Sequence, residues 1–136
     1  MTSPSDFAIL KELRPLLLKS HKILMEAEKD RYEAIYGPIP TKGEYLRLVL
    51  HHEQFSWLRP ISQLIVQIDE VVMAKTPLPP EQAAPVLEQA RKLLQASEIG
   101  EAFEASSQAL IDQVPEIAPM LARVTELLSQ SSHPTG

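Results

Sequence analysis

Leu58, Ile61, Ile65, Ile68 and Val72 place an apolar side chain every three or four residues, the interval at which an α-helix returns to the same face. A half-buried strand would alternate with period two, and no segment of this chain does so over a strand's length. The pattern therefore excludes a sheet and leaves helices that bury their apolar stripes on one another.

The other segments repeat it. Phe7, Leu10, Leu13, Leu17, Leu24 and Ile35 lie on one helical line, with His21, Glu28 and Tyr32 among them. Ser3-Pro4-Ser5-Asp6 reads as the start of this helix, Ser3 capping and Pro4 in the first position. Pro15 predicts a kink or a short first segment, and Gly37-Pro38 predicts an end near Tyr36. Thr41-Lys42-Gly43-Glu44 fits a capping box that opens a second helix, running from about 42 to 73 and broken or kinked around Gln54–Trp57 to accommodate Pro60. Pro79-Pro80 opens a third helix over about 80–97 with a stripe of Ala83, Leu87, Ala90 and Leu94. Gly100 separates it from a fourth over 101–113, carried by Phe103, Leu110 and Ile111. A last helix follows Pro115 to about Ser129 through Ile117, Leu121, Val124 and Leu128. The expectation is an all-α fold: an antiparallel bundle of four to five helices with proline kinks. Residues 1–130 form one domain in this reading and residues 131–136 a frayed tail.

Composition narrows the function classes. The chain has no cysteine, which removes disulfides, thiolate metal sites and cysteine nucleophiles. Residues 1–59 carry nine Lys/Arg and eight Asp/Glu, and residues 60–136 carry four and ten, so the halves bear +1 and −6. An acidic half and no basic run argue against nucleic acid and anionic membranes as partners. The first seven residues hold neither a basic nor an apolar targeting segment, and no apolar run approaches the ~20 residues of a membrane span. A cytoplasmic protein is expected.

Phe55-x-Trp57-Leu58-Arg59-Pro60-x-Ser62-x-Leu64-Ile65-Val66-x-Ile68-Asp69-Glu70 resembles the central stretch of a group of small bacterial proteins of uncharacterised function, as do Leu13-Arg14-Pro15-Leu16-Leu17 and Tyr32-Glu33. The resemblance covers the first half of the chain. It implies a bacterial helical domain and attaches no chemistry to it.

Catalytic motifs are missing. The four glycines are isolated, so there is no phosphate loop. His52-Glu53 begins a zinc-protease pattern, but Ser56 stands where the second histidine would be. No Glu-x-x-His pair occurs for a di-iron bundle. No catalytic residue, metal site or cofactor is expected. What remains is a polar cluster on the first two helices. If they fold back on each other about Ile39, facing residues have numbers that sum to about 78–80. This sets Glu28 by His51 and His52, and His21 by Leu58, Arg59 and Ser62.

Two readings follow. In the leading one the protein is a helical interaction module, self-associating as a homodimer or meeting an unidentified protein partner. Its support is the second helix, where Trp57, Leu64 and Val71, with Leu46 and Leu50 near the same side, widen the apolar arc beyond what one neighbour requires. That arc belongs either to a dimer interface or to a buried central helix. In the other reading His21, Glu28, His52, Arg59 and Ser62 bind a small molecule or a metal between the helices. Their structural alternative is a set of internal pairs: Glu28 with a histidine, His21 with a neighbour, Arg59 with Glu28 or a carboxylate on another helix, Asp69 with a cation or a backbone donor.

Overall fold

A computed structural model describes residues 5–76 and 79–130. Among the described residues there are six α-helices and no strand: α1 (Asp6–Tyr36), α2 (Lys42–His51), α3 (Arg59–Val72), α4 (Ala83–Gln95), α5 (Glu98–Ala109) and α6 (Ile117–Ser129). Short 3-10 segments, Glu53–Leu58 and Pro80–Gln82, lead into α3 and α4. The count exceeds the expected four to five because the second predicted helix is two helices joined by a 3-10 turn.

Ser5 caps α1, its hydroxyl accepting from the Ala8 amide at 3.1 Å; the expected cap Ser3, like Pro4, Pro77-Leu78 and the 131–136 tail, lies outside the described residues. The helix runs unbroken for 31 residues through Pro15, so the short first segment expected there does not form. Pro15 and Lys11, whose carbonyl loses its usual donor, both lie on the exposed side, where water can take that acceptor. The end is as expected: Gly37 adopts φ 90°, a conformation open to glycine, and its amide closes the last turn on Glu33.

Such a helix is about 45 Å long at 1.5 Å per residue and serves as the common neighbour of the fold. It packs on α3, α4, α6 and the 3-10 turn before α3. Its inward line is Ile9, Leu10, Leu13, Leu17, Ser20, Leu24 and Glu28. Phe55, Leu58, Ile61, Leu64 and Ile68 meet that line from one side, and Leu87, Ile117, Val124 and Leu127 complete the same apolar cluster. Fully burying a side chain of this size stabilises by roughly 1.5–3 kcal/mol. Ion pairs Arg123–Glu12 and Lys19–Glu116 join α6 to α1 at the surface, and Arg14–Asp69 joins α1 to α3. Asp69 thus meets a cation, as expected.

Gly100 lies inside the first turn of α5 and does not end α4, which closes at Gln95. A Cβ on Gly100 would fall 2.4 Å from the Leu94 carbonyl oxygen, so only glycine lets α5 start against the end of α4. Ser97 caps α5 from a short link.

Candidate functional site

The five polar side chains expected on a shared helix 1–2 face divide in the structure into a His21–Ser62 pair and a second group in which Gln54 links Glu28 to His52 and Arg59 binds the His52 carbonyl. His21 Nε2 and Ser62 Oγ hydrogen-bond at 2.6 Å, with the Leu58 carbonyl 3.3 Å from the hydroxyl. Glu28 lies about two turns further along α1 and is only 6% exposed. Its carboxylate accepts from the Gln54 amide at 3.1 Å, the Trp57 indole N–H at 3.3 Å and Arg31 at 3.3 Å. Gln54 also donates to the Glu28 carbonyl. The expected partner of Glu28, a histidine, is therefore replaced by a glutamine and a tryptophan.

His52 does something different again. It breaks α2 with an extended backbone, φ −78° and ψ 139°, and its Nδ1 accepts from the Gln54 amide at 3.1 Å. This makes it the cap of the 3-10 turn, and an accepting Nδ1 requires the tautomer with hydrogen on Nε2. Its ring meets Tyr32 edge-on at 5.2 Å and Tyr36 at 5.9 Å, an aromatic clasp at the end of α1.

Among the described residues Arg59 pairs with no carboxylate. Its Nε donates to the Val49 carbonyl at 2.8 Å and its Nη2 to the His52 carbonyl at 2.6 Å. These acceptors lie at the end of α2, where the helix dipole favours a cation; the His52 carbonyl also accepts from the Phe55 amide at 3.2 Å.

The pairing explains why the predicted register is offset. Facing residues have numbers summing to 82 for Glu28–Gln54 and 83 for His21–Ser62 and Arg14–Asp69, above the expected 78–80. α2 makes little contact with α1 and packs chiefly on the 3-10 turn, so several of its residues do not advance the chain along α1.

Burial pushes the His21 imidazole below its ordinary value, opposed by the Leu58 carbonyl. A serine beside a neutral imidazole has the spacing of a nucleophile and its base. Ser62 lies in the opening turn of α3, and its hydroxyl is shared between the imidazole and the Leu58 carbonyl. Among the described residues no three His, Asp or Glu side chains come together to hold a metal ion, and no helix is long and apolar enough to cross a membrane.

The interface candidates also need correcting. Leu64 and Val71 are 2% and 7% exposed, part of the chain's own core. Trp57 is half-buried and anchored on Glu28. Open apolar side chains lie instead at Ile35, Tyr36, Val66 and Met73 and on the outer side of α2, whose Tyr45, Leu48 and Val49 pack on the core. Leu46 and Leu50, one turn apart, are 59% and 51% exposed. A second feature had no sequence signal: a groove of about 570 Å³ among α4, α5 and α6, with Phe103, Ile111, Leu121 and Leu128 in its walls and Glu101 and Glu104 beside them.

No family model matches this chain, and neither does any curated protein or solved structure.

Proposed function

We propose that this protein is a helical protein–protein interaction module that self-associates through the outer flank of α2. The supporting observation is Leu46 and Leu50, which leave an apolar strip open on the outer side of a helix whose Tyr45, Leu48 and Val49 pack on the core. Such a strip costs free energy in water, about 25 cal/mol for each Å² left uncovered, and a partner that covers it recovers that cost. The polar side chains of the alternative, ligand-binding reading are all engaged: His21 with Ser62, Glu28 with Gln54 and Trp57, Arg59 with backbone carbonyls. That leaves no convergent set of free groups to favour a small molecule or metal. In this reading the helices pack as an antiparallel bundle with α1 in common, residues 1–130 act as one unit, and the protein works in the cytoplasm without nucleic acid.

Sedimentation velocity over a wide concentration series tests the proposal. The wild type is expected to associate, and Leu46→Asp/Leu50→Asp to stay monomeric with an unchanged helical circular dichroism spectrum. Leu64→Glu is expected to unfold the chain instead, because it puts an unpaired charge in the core. A wild type that stays monomeric throughout would refute self-association.

A further inference from the structure

We infer that His52 is a pH-sensitive pin: neutral, it holds α2 to the body of the fold, and protonated, it lets α2 go.

The pin stands where the chain changes element. His52 leaves α2 with an extended backbone and opens the 3-10 turn. Its Nδ1 accepts from the Gln54 amide at 3.1 Å, a bond that a serine or threonine hydroxyl makes at many helix starts. A hydroxyl oxygen accepts at any pH. An imidazole nitrogen accepts only while it is unprotonated, and histidine is the side chain whose charge ordinarily changes between about pH 5 and 8. A proton on Nδ1 sets N–H against N–H. Flipping the ring offers a C–H in its place, so the amide has no acceptor in either orientation.

The groups around the ring do not make up the loss. From α1 it meets the rings of Tyr32 and Tyr36 at 5.2 and 5.9 Å, which attract a cation weakly and supply no substitute acceptor for the amide. Glu28, also on α1, is linked to His52 through Gln54, whose side chain its carboxylate holds at 3.1 Å. From α3, Arg59 sets its Nη2 2.6 Å from the His52 carbonyl, and this cation repels a second one. The ionisable neighbours along the chain, His51 and Glu53, are exposed. Released from the amide, the ring takes up the proton that the cap excludes, so a falling pH favours release.

Little else holds α2. Its ten residues fall short of the roughly 12–15 at which an isolated helix becomes even marginal in water. Only Tyr45, Leu48 and Val49 pack on the core, each partly buried. A segment held so lightly opens before the rest of the fold, and losing a cap acceptor shifts its equilibrium about fivefold. Leu46 and Leu50 ride on the same helix, so the pin also sets how that strip is presented.

Hydrogen exchange at the two ends of that pH range, corrected for the intrinsic pH dependence of exchange, tests the pin. Residues 45–54 of the wild type should lose protection about fivefold at the acid end, with α3 unchanged. His52→Asn keeps a capping oxygen that does not titrate, and its α2 should be equally protected at both ends. The wild-type response should persist in Leu46→Asp/Leu50→Asp, which lacks the proposed association face; a response lost there would mark dissociation of a complex and overturn an intrachain pin. Nitrogen NMR of the imidazole should find Nδ1 unprotonated at the alkaline end. Protection of α2 that does not change with pH, an acid response retained in His52→Asn, an equal loss across α3, or a proton on Nδ1 at the alkaline end would each overturn the inference.

Discussion

Glu28→Ala should loosen the junction between α1 and the turn before α3, because one buried carboxylate holds that junction from the α1 side. The substitution removes the acceptor of the Gln54 amide (3.1 Å), the Trp57 indole (3.3 Å) and the Arg31 guanidinium (3.3 Å). Hydrogen bonds to a charged group contribute about 1.5–3 kcal/mol each. Two effects reduce the sum. Gln54 keeps the Glu28 carbonyl as a second acceptor. Arg31 is half exposed, and surface pairs contribute only about 0–1 kcal/mol. The expected loss is then about 3 kcal/mol, most of it from Trp57 and Gln54. With a urea m-value of about 2 kcal/mol/M, the unfolding midpoint should fall by about 1.5 M. Trp57 is the only tryptophan, so its emission reports on this junction directly while far-ultraviolet circular dichroism follows the whole fold. A double-mutant cycle of Glu28→Gln with Trp57→Phe should give a coupling of about 1 kcal/mol, beyond the ~0.3–0.5 kcal/mol within which independent sites add. A midpoint unmoved in Glu28→Ala, or additivity in the cycle, would refute the claim that this carboxylate ties the two segments together.

Two further outcomes are expected. His21 is held below its ordinary value of 6.5 by burial, so as the pH falls below that value the unfolded chain takes up a proton that the folded chain resists. Its contribution is fully present above pH 6.5 and is lost as the pH falls toward the folded value, with a slope of at most about 1.4 kcal/mol per pH unit; urea titrations of His21→Gln at a series of pH values should show a shallower acid decline than the wild type, and parallel curves would refute the assignment. Arg59→Ala should fray α2 from its C-terminal end by removing the donors to the Val49 and His52 carbonyls, at a cost of about 1–2 kcal/mol. Hydrogen exchange should report this as faster exchange over residues 48–52 with α3 unaffected, partly restored in Arg59→Lys, and uniform loss of protection would point to a general packing role instead.

Spacing alone made the helices legible. The apolar lines of Leu10, Leu13, Leu17 and of Ile61, Ile65, Ile68 were readable because each residue's burial depends on its phase within one regular element. The Thr41 cap and the Gly37 stop were readable because they are local. The polar partners were not, since the identity of Gln54 as the partner of Glu28, or of two backbone carbonyls as partners of Arg59, depends on a long-range register that α2 displaces by leaving α1.

Of the two alternatives for the helix arc, Leu64 and Val71 take the buried one for a definite geometric reason. Drawn as one helix over 42–73, a wheel places them near the side of Leu46 and Leu50. The chain does not keep that phase. A 3-10 helix turns about 120° per residue where an α-helix turns about 100°. Across the six residues Glu53–Leu58 the difference of about 20° per residue accumulates to about 120°, and the extended His52 adds a further change of direction. Two apolar faces that look continuous in the sequence therefore point different ways: Leu64 and Val71 into the core, Leu46 and Leu50 out to solvent. The break that Pro60 helps impose at the start of α3 is what frees the α2 flank from the core, so the feature that spoils the wheel is the same one that supplies the surface proposed for association. Restoring regular α-helical phase across residues 52–58 would turn that flank toward α1 and remove it.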